Sequence, residues 1–180
     1  MKMNKTNSTL ATILLFLGFF LNSCTTAEDP VINSDIKTAG TMNLSVTTST
    51  YNGKYTPKHV LAIWVESNTG TFVKTLLVKA QARKNYLTNW LSSSSGNSVD
   101  AITGATLSSH ATRTCTWDGT DVNGNVVGDG AYRVCMEFTE NDGTGKYSYS
   151  SFNKGTVSDS QTPSDKSNFS NISIVWTPAN

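Results

Sequence analysis

The chain has 180 residues, of which 15% are charged and 37% hydrophobic, and its formal net charge is +1. This length and composition fit one globular domain with a modest core. They exclude a strongly charged interaction tail, and the lack of a basic tract argues against nucleic acid as a partner.

The N-terminus has the pattern of an export signal. Lysines in MKMNK precede the apolar run of residues 10–21, which is shorter than the roughly 20 residues that a membrane-spanning helix needs. The sequence LNSC follows, so Cys24 stands where a bacterial lipoprotein signal is cut and the new terminal cysteine acylated, although Asn22 is not favoured at its position. We predict a signal peptide over residues 1–23 and a lipid anchor on Cys24. Ordinary secretion with cleavage nearby is the alternative.

Residues 24–40 are mostly polar and predict a flexible tether, and residues 41–178 predict one domain. Short apolar runs separated by turn signals favour an all-β, immunoglobulin-like sandwich of two antiparallel sheets. The predicted strands are a hairpin of 59–66 with 71–78, a second hairpin of 111–117 with 130–138, and weaker strands at 42–51, 146–152 and 171–177.

The second hairpin leads to a prediction about the cysteines. If Cys24 is lipidated, Cys115 and Cys135 remain, and an even pair in an oxidising compartment predicts a disulfide between facing strands. Two free, buried thiols are the alternative. The same register predicts two further pairs on that face, Trp117 with Arg133 and Arg113 with Glu137.

A long connection joins the two hairpins, with at most one short helix near residues 82–91. A connection of this length inside a compact domain is usually functional or disordered. It contains DAITGATLSSH, residues 100–110, which is too polar for a core strand and too rich in threonine and serine for a good helix. We call residues 100–110 the motif segment.

DAITGAT resembles the pattern at which bacterial flavin transferases attach FMN covalently, namely aspartate, two residues, Thr or Ser, Gly, Ala and Thr. That pattern is known from FMN-binding subunits of the sodium-pumping NADH:quinone reductase and of the Rnf complex. The residues that match are Asp100, Thr103, Gly104, Ala105 and Thr106. The resemblance implies FMN held as a phosphoester on Thr106, with a flavin transferase as partner. A plain Asx-type turn is the alternative, and Thr103 and Ser108 are alternative hydroxyls.

The chemistry assigns expected roles to the neighbours of Thr106. Gly104 is expected to permit unusual backbone angles and close approach of a phosphate, and Ala105 to remove bulk. Asp100 is expected either to accept backbone N–H bonds or to contact the transferase. His110 is a candidate to bond the phosphate or the flavin ring, with a structural role as the alternative. Three aromatic residues are candidates to stack on the flavin ring, with core packing as the alternative: Tyr86, Trp90 and Trp117. His59 is given no role.

A longer resemblance covers roughly residues 40–178. It rests on YNGKYTPKHVLAIWVE, TGTFVKTLLV, YLTNWL, VDAITGAT, SSH, WDG and DGAY. These segments look like a family of predicted periplasmic domains of unknown function, some of which accompany PepSY-type membrane proteins and flavin transferases. The WDG and GAY part is also similar to the immunoglobulin-like domain of flagellar hook-capping proteins.

Other chemistry is poorly supported. The loop DGTDVNGN of residues 118–125 lacks ligands that a calcium loop needs, so no metal is predicted there, and zinc, phosphate-loop and Ser-His-Asp patterns are absent from the sequence. The sequence therefore predicts a non-catalytic flavoprotein, lipid-anchored to the bacterial envelope and facing the periplasm or cell surface. It would carry FMN for electron transfer with a membrane redox partner, PepSY-type being possible. A lipoprotein that binds a glycan or protein without a cofactor is the alternative.

Overall fold

Short strands follow one another along nearly the whole domain. The computed structural model describes residues 35–180, so the predicted signal peptide, the anchor at Cys24 and most of the predicted tether lie outside the described residues. Within them the elements are β1 Gly40–Thr48, β2 Val60–Ser67, β3 Phe72–Lys79, a 3₁₀ turn Lys84–Tyr86, α1 Thr88–Ser94, β4 Ile102–Gly104, β5 Thr112–Trp117, β6 Gly130–Thr139, β7 Lys146–Lys154, β8 Asp159–Gln161 and β9 Phe169–Pro178.

The strands form two sheets that pack face to face. One sheet has the order β5-β1-β9-β8 and the other β4-β3-β2-β6-β7. Neighbouring strands are antiparallel except β3 and β4, which are parallel. The predicted all-β two-sheet sandwich is confirmed, as are the β2–β3 hairpin, the short helix and the three weaker strands.

The main core lies between the sheets, where alternate side chains of each strand meet. Its largest members are fully buried: Met42, Leu61, Ile63, Trp117, Phe138, Phe152, Phe169 and Trp176. β2 is buried along its whole length because its other face is covered as well. This outer face carries a second apolar cluster that includes Val60, Ala62, Trp64, Val78, Leu87 and Trp90.

Two buried carboxylates fasten α1 to this outer face. Glu137 of β6 accepts hydrogen bonds from the backbone N–H groups of Asn89 (3.2 Å) and Trp90 (2.8 Å) at the start of α1. Helix N-termini leave such N–H groups without partners, so Glu137 acts as a cap supplied by the sheet. Glu66 of β2 accepts a bond from the Ser93 hydroxyl at 2.5 Å, which holds the same helix from a second strand.

The predicted second hairpin is wrong. β5 pairs with β1 in one sheet, whereas β6 lies between β2 and β7 in the other. The loop between β5 and β6, residues 118–129, is long enough to cross from one sheet to the other. The alternation of side chains within each strand therefore did not determine which strand it pairs with. The pairs predicted from that hairpin are absent: Arg133 bonds Glu66, Glu137 caps α1, Arg113 bonds the Ser109 carbonyl, and Trp117 lies in the main core.

The predicted disulfide between Cys115 and Cys135 is also wrong, because both cysteines are free and buried. Cys115 faces the main core from β5, while Cys135 faces the outer cluster from β6. Burial raises the pKa of each thiol to about 12. A thiol that stays protonated at neutral pH is a poor nucleophile, so both cysteines behave as small packing residues.

Candidate functional site

The motif segment runs along the edge of the five-stranded sheet and leaves it toward the other sheet. At its start β4 pairs in parallel with β3, with Gly104 opposite Lys79. Beyond β4, Leu107 exchanges two backbone hydrogen bonds with His59, at 3.0 and 2.9 Å. Thr106 therefore lies between two points of backbone attachment. It is half-buried, and within residues 35–180 its hydroxyl makes no hydrogen bond.

The Asp100 end of the segment is exposed. Asp100 has a left-handed backbone with φ of 58°, and its carboxylate lies 3.5 Å from the Nζ of Lys74. Lys74 is buried, and it also lies 3.6 Å from Asp118 and donates to the Thr120 hydroxyl at 2.9 Å. No backbone N–H of the described chain donates to Asp100, and 69% of its side chain is exposed. Its carboxylate is thus open to a partner protein.

Glycine at position 104 leaves space for the side chain of Lys79, and it does not adopt unusual backbone angles. Gly104 is an ordinary strand residue, and a Cβ added to it would lie 2.9 Å from the Nζ of Lys79. Lys79 crosses this position to donate to the carbonyl of Thr103 at 3.0 Å. The expectation of unusual backbone angles at Gly104 is wrong, and close approach of a phosphate to its backbone stays a prediction. Thr103 and Ala105 are exposed beside it.

The His110 end of the segment is held in a buried polar cluster. His110 stacks on His59 with ring centroids 4.0 Å apart and planes within 2°. Its Nε2 lies 2.8 Å from Glu140, and its Nδ1 lies 3.0 Å from the hydroxyl of Thr48. Both ring nitrogens therefore have protein partners. A flavin contact by His110 stays a prediction, and the geometry favours the structural alternative.

Glu140 is the centre of this cluster and binds the loop before β2. Its carboxylate accepts the backbone N–H groups of Tyr51 (3.1 Å) and Gly53 (2.9 Å) and the hydroxyls of Thr50 and Thr56. Burial alone raises the pKa of a carboxyl group, but these hydrogen bonds and the one to His110 outweigh it and lower the pKa of Glu140 to about 2. Glu140 is therefore a buried anion at neutral pH.

His59 was given no role from sequence, yet it links the cluster to the motif segment. It is buried, and burial lowers its pKa to about 4, so the ring is neutral at pH 7. Its Nδ1 lies 3.1 Å from the Pro57 carbonyl, while its Nε2 is buried without a partner in the described part of the chain. No local signal indicates this cluster, because residues 59, 110 and 140 come from the ends of different strands.

A cavity of about 400 Å³ opens beside the motif segment, on the outer face of the five-stranded sheet. Val78, Ala80 and Trp90 supply its apolar lining, and Thr103 and Gly104 of β4 form one wall. The volume lies within the range typical of small-molecule sites, roughly 300–1,000 Å³. Of the three aromatic residues considered from sequence, Trp90 lines this cavity, whereas Trp117 lies in the main core.

The loop after β5 folds on its own side chains. Asp118 accepts the backbone N–H and hydroxyl of Thr120, and Asp121 accepts the N–H groups of Asn123 and Asn125. In residues 35–180 no cluster of three or more His, Cys, Asp or Glu side chains is arranged to hold a metal ion. Within the same range, no helix has the length and apolar character that crossing a membrane requires.

No curated protein and no solved structure matches the chain. Residues 41–168 match the model of a family described as predicted periplasmic protein. The match leaves the FMN-attachment motif and the likeness to hook-capping domains as predictions. Because it spans most of the domain and well over half of the chain, the protein belongs to this family of predicted periplasmic proteins, DUF2271.

Proposed function

We propose that this protein is a membrane-anchored, extracytoplasmic flavoprotein that carries FMN as a phosphoester on Thr106. The observation that carries the proposal is the placement of the matching motif. Its residues lie on an edge segment with exposed Thr103 and Ala105, and the Thr106 hydroxyl has no hydrogen-bond partner in the described chain. A foreign active site can approach such an edge without unfolding the sandwich.

The protein is the substrate of the attachment reaction and not its catalyst. The Thr106 oxygen would attack the phosphorus of FAD nearest the flavin. The bond from that phosphorus to the bridging oxygen would break, and AMP would leave with the bridging oxygen. The hydroxyl proton passes to a base. A threonine hydroxyl ionises far above neutral pH, so the base and an activating metal belong to the transferase.

The charges around Thr106 suit a phosphodiester. Lys79 reaches the backbone of the motif segment two to three residues before Thr106, and exposed Lys58 precedes His59, whose backbone is bonded to Leu107. Both lysines belong to chain segments that are hydrogen-bonded to the motif segment, and cations favour a nearby phosphate anion.

The attached FMN would supply electron transfer between redox partners. The chain's own residues would bind, orient and shield it, and a covalent bond would retain it outside the cytoplasm. Cys24, which lies outside the described residues, would hold the protein to the membrane by its lipid. A flavin transferase and a membrane redox partner, PepSY-type being one possibility, are the partners that this function requires.

A cofactor-free binding or assembly module is the second candidate, and one observation favours it. β4 ends its sheet, and two apolar residues there are half exposed, namely Ile102 in the strand (50%) and Val99 before it (49%). An exposed edge with apolar side chains can accept a strand from another envelope protein.

Co-expression of the full chain with an active flavin transferase in the periplasm tests the proposal. We expect the intact mass to rise by one FMN and the band to fluoresce in a denaturing gel. Thr106→Ala should abolish both while the domain stays folded. Thr103→Ala and Ser108→Ala are matched controls that should keep the FMN. A folded protein without the mass increment, or a Thr106→Ala variant that still carries FMN, would contradict the assignment.

A further inference from the structure

We infer that Lys58 is the residue that binds the phosphate of FMN on Thr106, because the two residues share one face of the sheet. This inference rests on the proposed function and deepens it, since it selects one cation among several that lie near the motif segment. The phosphate in this linkage is a diester, so it carries one negative charge that a lysine can pair with.

The backbone pair of His59 and Leu107 determines which residues share a face. The two residues exchange both of their backbone hydrogen bonds, at 3.0 and 2.9 Å, as a directly opposed pair in an antiparallel ladder does. Both side chains face the main core, where His59 packs edge-on against Phe138 and Leu107 packs against the same cluster. Successive side chains of an extended chain point to opposite sides, so the residues next to this pair face away from the main core.

Lys58 and Thr106 are two of these neighbours, and they lie diagonally across the pair. Val60, on the other side of His59, belongs to the outer apolar cluster, as the alternation requires. Diagonal neighbours on one face of an antiparallel pair lie roughly 7–8 Å apart, a distance that long side chains span. The ammonium group of Lys58 therefore reaches a phosphate on the Thr106 hydroxyl.

The backbone of Lys58 is fixed, whereas its side chain is free. Its N–H donates to the Tyr55 carbonyl at 2.8 Å, and the next residue, His59, is held by Leu107. Lys58 is exposed, and within residues 35–180 its ammonium group makes no hydrogen bond or ion pair. A lysine ammonium has three donors, so Lys58 offers all three to an incoming phosphate from a position that is already set.

Two other cations near the motif segment are less suited to this role. The Nζ of Lys79 already donates to the carbonyl of Thr103 at 3.0 Å. Arg113 donates to the carbonyl of Ser109, and its Nε is buried without a partner in the described part of the chain. A phosphate that projects from the outer face does not meet a buried nitrogen. Lys58 is the cation that is both free and on the side of the acceptor.

A double-mutant cycle in the full chain tests the contact without any flavin. Thr106→Glu places a carboxylate at the acceptor, Thr106→Gln is its uncharged match, and each is combined with Lys58→Gln. Urea denaturation at pH 7 and low salt gives the unfolding constants. We expect the ratio of the Gln constant to the Glu constant to be about threefold larger with Lys58 than with Lys58→Gln, an effect typical of one partly exposed ion pair.

Lys37→Gln is the matched control for this cycle. Lys37 is exposed and lies just before β1, whereas the far end of β1 carries Thr48, which is bonded to His110 of the motif segment. The ratio should therefore be the same in Lys37→Gln as in the chain with both lysines, because the charge removed is remote from Thr106.

Phosphorus NMR of the FMN-loaded full chain tests the contact with the phosphate itself. The resonance of the diester should move as sodium chloride is raised to 1 M, because salt screens the ion pair. In Lys58→Gln it should lie at the high-salt position from the start, and in Lys37→Gln it should match the wild type. All three proteins should keep the FMN mass increment, because Thr106 is unchanged.

The outcomes separate this inference from the proposed function. A mass increment together with the same phosphorus resonance in Lys58→Gln and the wild type would overturn the role of Lys58 and leave covalent FMN intact. If no increment forms, the proposed function fails and the cycle alone decides. A threefold coupling would then support a Lys58 site for an anion at position 106, and equal ratios with and without Lys58 would overturn it.

Discussion

The two ends of the motif segment are held in opposite ways. At the first end, Asp100 is exposed and touches one lysine at 3.5 Å. At the other end, His110 is packed against His59 and bonded to a carboxylate, Glu140, which is itself buried. The difference indicates a division of labour. The buried end fixes the segment to the fold, while the open end leaves the motif accessible to another protein.

The largest expected effect comes from removing the charge at the buried end. Glu140→Gln replaces an oxygen that accepts backbone N–H bonds with an amide that cannot accept them all. A buried N–H donor left without an acceptor costs about 1–3 kcal/mol, so for these two donors we expect a loss of about 4 kcal/mol in the free energy of unfolding. Urea denaturation at pH 7 measures it. Asp142→Asn, two residues along and partly exposed, is the control and should cost much less.

Acid should weaken the same end through His59. Its folded pKa of about 4 lies below the ordinary value of 6.5 because of burial, and this effect outweighs the hydrogen bond to the Pro57 carbonyl and the attraction of Glu140, which both raise the pKa. In the unfolded chain the His59 ring takes up a proton near pH 6.5, whereas in the folded chain it takes up this proton only near pH 4. The contribution of His59 to the free energy of unfolding is therefore fully present above pH 6.5. It is lost as the pH falls to 4, and the loss is about 3 kcal/mol.

The His59→Gln variant isolates this contribution, since Gln does not titrate. Urea titration at a series of pH values measures its free energy of unfolding. Between pH 7 and 4 this free energy should fall by about 3 kcal/mol less in the variant than in the wild type. Glu140 contributes below pH 4.5 in both proteins because its folded pKa is about 2. Parallel curves for the two proteins would show that His59 does not carry the acid sensitivity.

A smaller effect is expected when His110 itself is changed. His110→Gln removes the ring stacked on His59 and weakens the bonds to Glu140 and Thr48. A typical net hydrogen bond is worth about 1 kcal/mol, so we expect a loss of about 1–2 kcal/mol by urea denaturation. If His110 only positions the segment, the FMN mass increment should persist. Loss of FMN from a variant that remains folded would instead assign His110 to the phosphate or the ring.

The strands of this fold could be predicted from sequence to a large extent, because alternation of side chains determines which face of a strand is buried. The alternation of β6 illustrates this, since Val134 and Met136 face the core and Cys135 faces outward. Alternation does not determine which strands pair, so β5 was predicted in the wrong sheet. The predicted disulfide depended on that pairing and was wrong for the same reason. The loop after β5 is long enough to reach either sheet.

The site divides along the same line. The motif residues are adjacent in sequence, so a short pattern could identify Asp100 and Thr106. The cluster of His59 and Glu140 arises only when strand ends meet in space, and the cavity behind Trp90 depends on where α1 docks. Long-range packing of this kind leaves no local pattern in a single sequence.

The smallest effect on stability is expected at the open end, where the comparison can be made sharpest. Asp100→Asn removes one exposed ion pair, worth less than about 1 kcal/mol, and Lys74 keeps Asp118 and Thr120 as partners. If Asp100 contacts the transferase, the variant should acquire FMN several-fold more slowly while remaining as stable as the wild type. The measurement is the initial rate of mass gain with purified transferase and FAD.

Asp118→Asn provides a matched control for this rate, because Asp118 lies 3.6 Å from the same lysine and its side chain is 63% exposed, close to the 69% of Asp100. A slow rate in Asp100→Asn alone would mean that the carboxylate acts on the transferase. Equal slowing in both variants would mean that Asp100 acts by holding Lys74. Unchanged rates in both would restrict recognition by the transferase to the rest of the motif, from Thr103 to Thr106, and the open end would then serve access rather than binding.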